Sequence, residues 1–100
     1  MTVKKVTMNF PPSPSADTVG YKLYVQKEPD AVSFDSQMFD IGNTTTLDLG
    51  TLMVDADGVF NIGVTAYDDA GNESAMSILN GVALDFVQPD PPGAITITRI

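Results

Sequence analysis

Apolar and polar residues alternate with a period of two along most of this chain. The alternation runs through residues 6–10, 21–26, 45–49, 60–67 and 82–86, with a shorter and weaker run at residues 38–41. A period of two places successive side chains on opposite faces of a strand, whereas a helix has a period of about 3.6. No segment has a convincing helical period, so the sequence predicts an all-β chain.

Turn-forming residues separate the alternating runs. Prolines follow residue 10, and Gly-Asn, Asp-Gly and proline pairs recur between the later runs. Proline cannot donate to a strand ladder, and glycine, asparagine and aspartate tolerate tight turns. Roughly six or seven short strands in one chain of this length are typical of a two-sheet antiparallel sandwich. A closed barrel is the alternative that periodicity leaves open.

The phase of the alternation also indicates which side chains face the space between the two sheets. Inward residues of a sandwich fill a gap of about 10 Å. The candidates for this core are Tyr21, Leu23, Val25, Leu47, Leu49, Phe60, Ile62, Val64, Leu84 and Phe86.

The residue types that the chain lacks limit its chemistry. It has no cysteine and no histidine, and so neither a thiol nor an imidazole for catalysis or metal binding. Its net charge of −8 argues against nucleic acid and anionic membranes as partners. The positive side chains are confined to the first 27 residues and to Arg99, because residues 28–98 contain no lysine or arginine.

Nothing in the sequence predicts insertion into a membrane. No window has the apolar length of a membrane helix. The opening residues 1–5 do not follow the basic-then-apolar plan of a signal peptide. An exported form would therefore have lost its signal or would carry it outside this sequence.

Two runs of residues resemble the fibronectin type III domain of bacterial proteins. Residues 20–25 (GYKLYV) resemble its third strand, and residues 60–77 (FNIGVTAYDDAGNESAMS) resemble its sixth strand, the following loop and the entry to the seventh strand. Residues 6–10 resemble the second strand. The resemblance implies an antiparallel immunoglobulin-like sandwich over residues 3–87, followed by a proline-rich segment, residues 88–100, with an end like the family's first strand.

The chain departs from that family in three places. Phe10 stands where the family usually has a tryptophan, and Phe60 stands where it has a tyrosine whose hydroxyl holds a corner. We therefore expect this corner to be held by packing or by Asp-Gly turn chemistry. Strand A is missing from the N-terminus, since only Met1 and Thr2 precede the second strand.

The clustered acidic residues are interpreted as turns rather than metal sites. Asp55, Asp57 and Gly58 lack the remaining ligands of a calcium loop, and Asp68, Asp69, Asn72 and Glu73 lie in one turn-rich loop. The serines have no histidine to activate them. We predict no catalytic, cofactor-binding or metal-binding residues and no cofactor.

Two pairs of residues are candidates for an interaction surface. The strand phase directs Tyr24 and Tyr67 outward, with Gly63 between them, where they could contact sugar or protein or merely shield the sheet face. Ile95 and Ile97 alternate in the strand A-like end. We expect these isoleucines to pack on a sheet edge, either of the same chain or of a neighbouring copy.

The resemblance implies a non-catalytic structural or protein-interaction module of a bacterial surface or multi-domain protein. A small self-contained virion or particle subunit and a carbohydrate-binding module are the alternatives. The partner expected is a protein or a neighbouring domain, and carbohydrate is the alternative. Self-association through the C-terminal strand is a further possibility that the sequence leaves open. An extracellular or cell-surface location follows from the resemblance alone.

Overall fold

The chain forms two antiparallel sheets. A computed structural model describes residues 6–53, 56–85 and 91–99. The smaller sheet pairs β1 with β4, and the larger sheet has the order β3-β2-β5-β6. The predicted all-β class is confirmed. The elements are β1 (Thr7–Asn9), β2 (Gly20–Lys27), β3 (Gln37–Gly42), β4 (Thr46–Asp48), α1 (Leu49–Leu52), β5 (Asp57–Tyr67) and β6 (Ser77–Asp85).

The alternating runs lie in these strands, but the last two strands are longer than expected. Asp57 and Gly58, predicted as part of a turn, begin β5. Strand β6 begins at Ser77, ahead of the alternation at residues 82–86, because it pairs with β5 along most of its length. Asp55 lies outside the described residues.

A single helical turn, α1, was not predicted. It follows β4 directly, and Asp48 caps it by accepting a 2.9 Å hydrogen bond on Oδ1 from the backbone N–H of Gly50. Four residues are too few to show a helical period in the sequence. The turn carries the chain from the smaller sheet towards β5 of the larger sheet and buries Leu49.

The core lies between the two sheets. The buried predicted residues are Tyr21, Leu23, Val25, Leu49, Ile62 and Leu84. Leu47, Phe60 and Val64 are half-buried against them, together with Met8 from β1. The predicted phase of these strands is confirmed, whereas Phe86 lies outside the described residues. Met53 and Val32 are buried as well, although no alternation marked them.

The C-terminal segment differs from the expectation of an extra strand within the chain. Residues 91–99 form no regular secondary structure, and the expected boundary between residues 87 and 88 lies outside the described residues. No helix among the described residues is long and apolar enough to span a membrane.

Candidate functional site

The outer face of the larger sheet, turned away from the core, carries both tyrosines of the predicted surface. Tyr24 lies opposite Gly63 and Tyr67 lies opposite Gly20, and neither tyrosine belongs to the core cluster. Tyr24 is only 4% exposed, which favours shielding of the sheet face, one of the two alternatives for this residue, over direct contact with a ligand. An outward position on a sheet leaves a side chain exposed only if no loop folds over that face.

Two loops cover Tyr24. Phe34, from the loop between β2 and β3, packs edge to face against the Tyr24 ring with centroids 5.5 Å apart. From the other side, the hydroxyl of Tyr24 donates a short hydrogen bond to Oε2 of Glu73, in the loop between β5 and β6. Aromatic edge contacts and buried hydrogen bonds of this kind hold a ring in one position.

Glu73 is the centre of a polar network on this face. Besides Tyr24, Thr65 Oγ1 donates to Glu73 Oε2 at 2.6 Å, and Lys22 Nζ lies 3.3 Å from Oε1. Lys22, Tyr24 and Thr65 come from the two central strands of the sheet. Glu73 therefore anchors the loop after β5 on the sheet from which that loop departs.

The network shifts the pKa values of its members in opposite directions. Desolvation raises the pKa of Glu73, but hydrogen bonds from Thr65, Tyr24 and Lys22 outweigh it, so the pKa lies below its usual value. Burial, followed by the hydrogen bond to Glu73 and its negative charge, raises the pKa of Tyr24 to about 12. A carboxylate held ionised by three donors is a weak base, so this arrangement suits an anchor rather than a general base.

Tyr67 has partners of its own. Its hydroxyl donates a 2.9 Å hydrogen bond to Asp40 Oδ1, and Lys22 Nζ lies 5.4 Å from the centre of its ring. The ring is half-buried, with a cation already over one face. Tyr24 and Tyr67 thus share a sheet face but do not form one exposed aromatic platform.

The acidic loop at residues 68–74 does not gather its oxygens around one point. Asp68 Oδ1 accepts hydrogen bonds from the backbone N–H groups of Ala70 at 3.0 Å and Asn72 at 2.9 Å. Asp69 is exposed, and Glu73 is directed to the sheet. Within the described parts of the chain, no three acidic residues are arranged to hold a metal ion.

An apolar groove lies between β1 of the smaller sheet and β6 of the larger sheet, each an edge strand among the described residues. This edge groove is bounded by residues 6–10 of the β1 region and by Ser77, Ile78 and Leu79 of β6, with Ile62 and Val64 in its floor. Its volume is about 440 Å³, within the range of about 300–1,000 Å³ seen for ligand sites. Ile78 and Leu79 are 53% and 65% exposed beside it. Sequence reasoning did not identify the groove, because it is formed by strands at opposite ends of the chain.

The second predicted pair, Ile95 and Ile97, does not pack on a sheet edge of the same chain. These side chains are 90% and 79% exposed. Of the two arrangements left open by the sequence, packing within the chain is therefore wrong for the described residues. Packing against a neighbouring copy stays a prediction.

The chain matches no protein-family model, no curated protein and no solved structure.

Proposed function

We propose that this chain is a non-catalytic structural or protein-interaction module of a bacterial surface or multi-domain protein, with the immunoglobulin-like topology of a fibronectin type III domain. The path of the chain supports the topology. It alternates between the sheets, with β1 and β4 in the smaller and β2, β3, β5 and β6 in the larger. Consecutive strands of such sandwiches are divided between two sheets in this manner.

The edge groove carries the functional part of the proposal. Fold alone does not determine function, so a site must support it. In the groove, exposed Ile78 and Leu79 adjoin two strand edges that have no further strand beside them in the described residues. Contiguous exposed apolar surface and unpaired strand edges are the features through which sheet proteins bind other polypeptides.

The alternative of a virion or particle subunit relies on the same groove, since copies of one chain could meet there. The carbohydrate-binding alternative has less support. Tyr24 is buried, and Lys22 Nζ lies 5.4 Å from the centre of the Tyr67 ring, so these two tyrosines do not present a pair of free rings for a sugar to stack on. Chemical-shift changes at the Tyr67 ring with soluble polysaccharides, abolished by Tyr67→Ala, would favour it over protein binding.

A photo-crosslinking amino acid introduced at one chosen position tests whether the edge groove binds another polypeptide. Placed at Leu79, beside the groove, it should form covalent adducts with a partner polypeptide in cells of the source organism. Placed at Asp69, which is also exposed but lies in the acidic loop, it should form none. Equal yields at the two positions, or no adduct at Leu79, would contradict the proposal.

A further inference from the structure

The free edge of β1 presents backbone groups with the spacing that another strand requires. The backbone carbonyl of Val6 accepts a hydrogen bond from the N–H of Leu49 at 2.9 Å, and the N–H of Phe10 donates one to the carbonyl of Thr45 at 3.1 Å. The backbone groups of the even-numbered residues in and beside β1 are therefore directed towards β4. In an antiparallel pair these directions alternate along the strand. The N–H and C=O groups of Thr7 and Asn9 are therefore directed to the opposite side, where the described residues include no strand.

The same chain contains a segment suited to that edge. Residues 94–98 (AITIT) alternate β-branched apolar and polar side chains and contain no charge. Ile95 and Ile97 fall on one side of such a strand, and both are exposed. A strand that added to β1 would direct these two side chains inward beside Met8, which is half-buried, and its threonines outward beside Thr7 and Asn9.

The charges at the C-terminal end of β6 indicate the direction of the added strand. Asp57 and Asp85 are direct cross-strand partners at the end of β6, and like charges in such a pair destabilise a sheet. Phe10 lies near the start of β6, since it lines a surface shared with Ser77. Strand β1 therefore runs opposite to β6. A strand antiparallel to β1 would carry Arg99, the only arginine of the chain, towards Asp85.

We propose that residues 94–98 of one copy add as an antiparallel strand to the free edge of β1 in a second copy, with Ile95 and Ile97 in the edge groove. This inference rests on the proposed function, because it names the partner of the same groove. A tail that enters another copy's groove makes a head-to-tail contact, which either closes reciprocally into a dimer or continues into a longer assembly.

Sedimentation of the full chain over micromolar to millimolar concentrations tests the self-association. The wild type should exceed the mass of one chain as concentration rises. Ile95→Asp with Ile97→Asp should sediment as a single chain, and these exposed positions leave folding unaffected. The matched control, Thr96→Asp with Thr98→Asp, adds the same charge on the outward side and should still associate, because both isoleucines remain.

A labelled peptide of residues 91–100 tests the groove directly. It should bind the single-chain Ile95→Asp, Ile97→Asp variant, as measured by fluorescence anisotropy. An Arg99→Glu peptide should bind about two- to fivefold more weakly, as expected for a surface ion pair. Adding Asp85→Lys to the protein should restore the affinity for that peptide.

The inference is overturned if the peptide does not bind, if the wild type stays a single chain throughout, or if the two aspartate pairs behave alike. An adduct at Leu79 with a different protein would then leave the proposed module intact. Absence of both the adduct and the peptide complex would overturn both proposals.

Discussion

The hydroxyl of Thr65, a residue only 1% exposed, donates a 2.6 Å hydrogen bond to Glu73 Oε2. This contact joins the last part of β5 to the loop that follows it. The same carboxylate accepts from Tyr24 of the neighbouring strand β2. One acidic side chain thus satisfies two buried hydroxyl groups on the outer face of the larger sheet.

Replacing this carboxylate should destabilise the fold. Glu73→Gln keeps the shape but removes the charge and presents an amide donor to groups that are themselves donors. We expect the free energy of unfolding to fall by about 1–3 kcal/mol, the cost of poorly paired buried polar groups. Urea denaturation measures it. Asp69→Asn, in the same loop but exposed, is the control and should change stability by less than about 0.5 kcal/mol.

The stabilisation from Glu73 should depend on pH. Its pKa is lower in the folded chain than in the unfolded chain, so the folded state favours the ionised form. The contribution is complete above the unfolded pKa, near 4.5, and is lost as pH falls through the folded value. The stability difference between wild type and Glu73→Gln should therefore shrink on acidification. A difference that stayed constant down to acidic pH would show that the charge of Glu73 contributes nothing.

Tyr24 should ionise with a midpoint at about 12, well above the ordinary tyrosine pKa of about 10. Its neutral form is favoured in the folded chain, so its contribution to stability is present below the unfolded pKa of about 10 and is lost as pH rises through the folded value. Ultraviolet absorbance titration measures the phenolate. Tyr24→Phe should remove the last transition, and Glu73→Gln should move it to lower pH. A last transition that persisted in Tyr24→Phe would assign it to another tyrosine.

The core residue Phe60 should matter more than its neighbour Val59. Phe60 is half-buried against the core, whereas Val59 on the opposite face is 37% exposed. Phe60→Ala should cost about 3 kcal/mol, the lower end of the range for buried aromatic residues, because its burial is partial. Val59→Ala should cost less than about 1 kcal/mol. Equal denaturation midpoints for the two variants would contradict the observed strand phase.

The acidic loop should not bind calcium tightly. The oxygens of Asp68 are engaged by the N–H groups of its own loop, and Glu73 is held on the sheet. Calorimetric titration should show no site tighter than roughly millimolar. Asp68→Asn gives the comparison, since a micromolar site lost in that variant would establish a metal loop instead of a capped turn.

Much of the architecture could be predicted because side chains along a strand alternate between its two faces. Leu23, Val25 and Ile62 occupy the core that their alternation indicates, and Tyr24 and Tyr67 face the opposite side. The helical turn that begins at Leu49 could not be predicted from periodicity, because a single turn is too short for a helical repeat to be visible. Its cap, Asp48, is the one local signal that could have indicated it, since aspartate is a preferred N-cap residue.

The order and types of the residues are enough to establish the all-β class, the inward and outward phases of the strands, and the absence of thiol and imidazole chemistry. Which outward side chains meet solvent depends on how distant segments pack in three dimensions. Tyr24 is buried by Phe34 and by Glu73, the latter 49 positions away, while Ile95 and Ile97 are exposed despite an equally regular alternation. Alternation assigns a side chain only to one face of its strand. Burial of that face depends on which distant loops fold over it. The groove between β1 and β6 likewise exists only because the fold brings these two distant strands together.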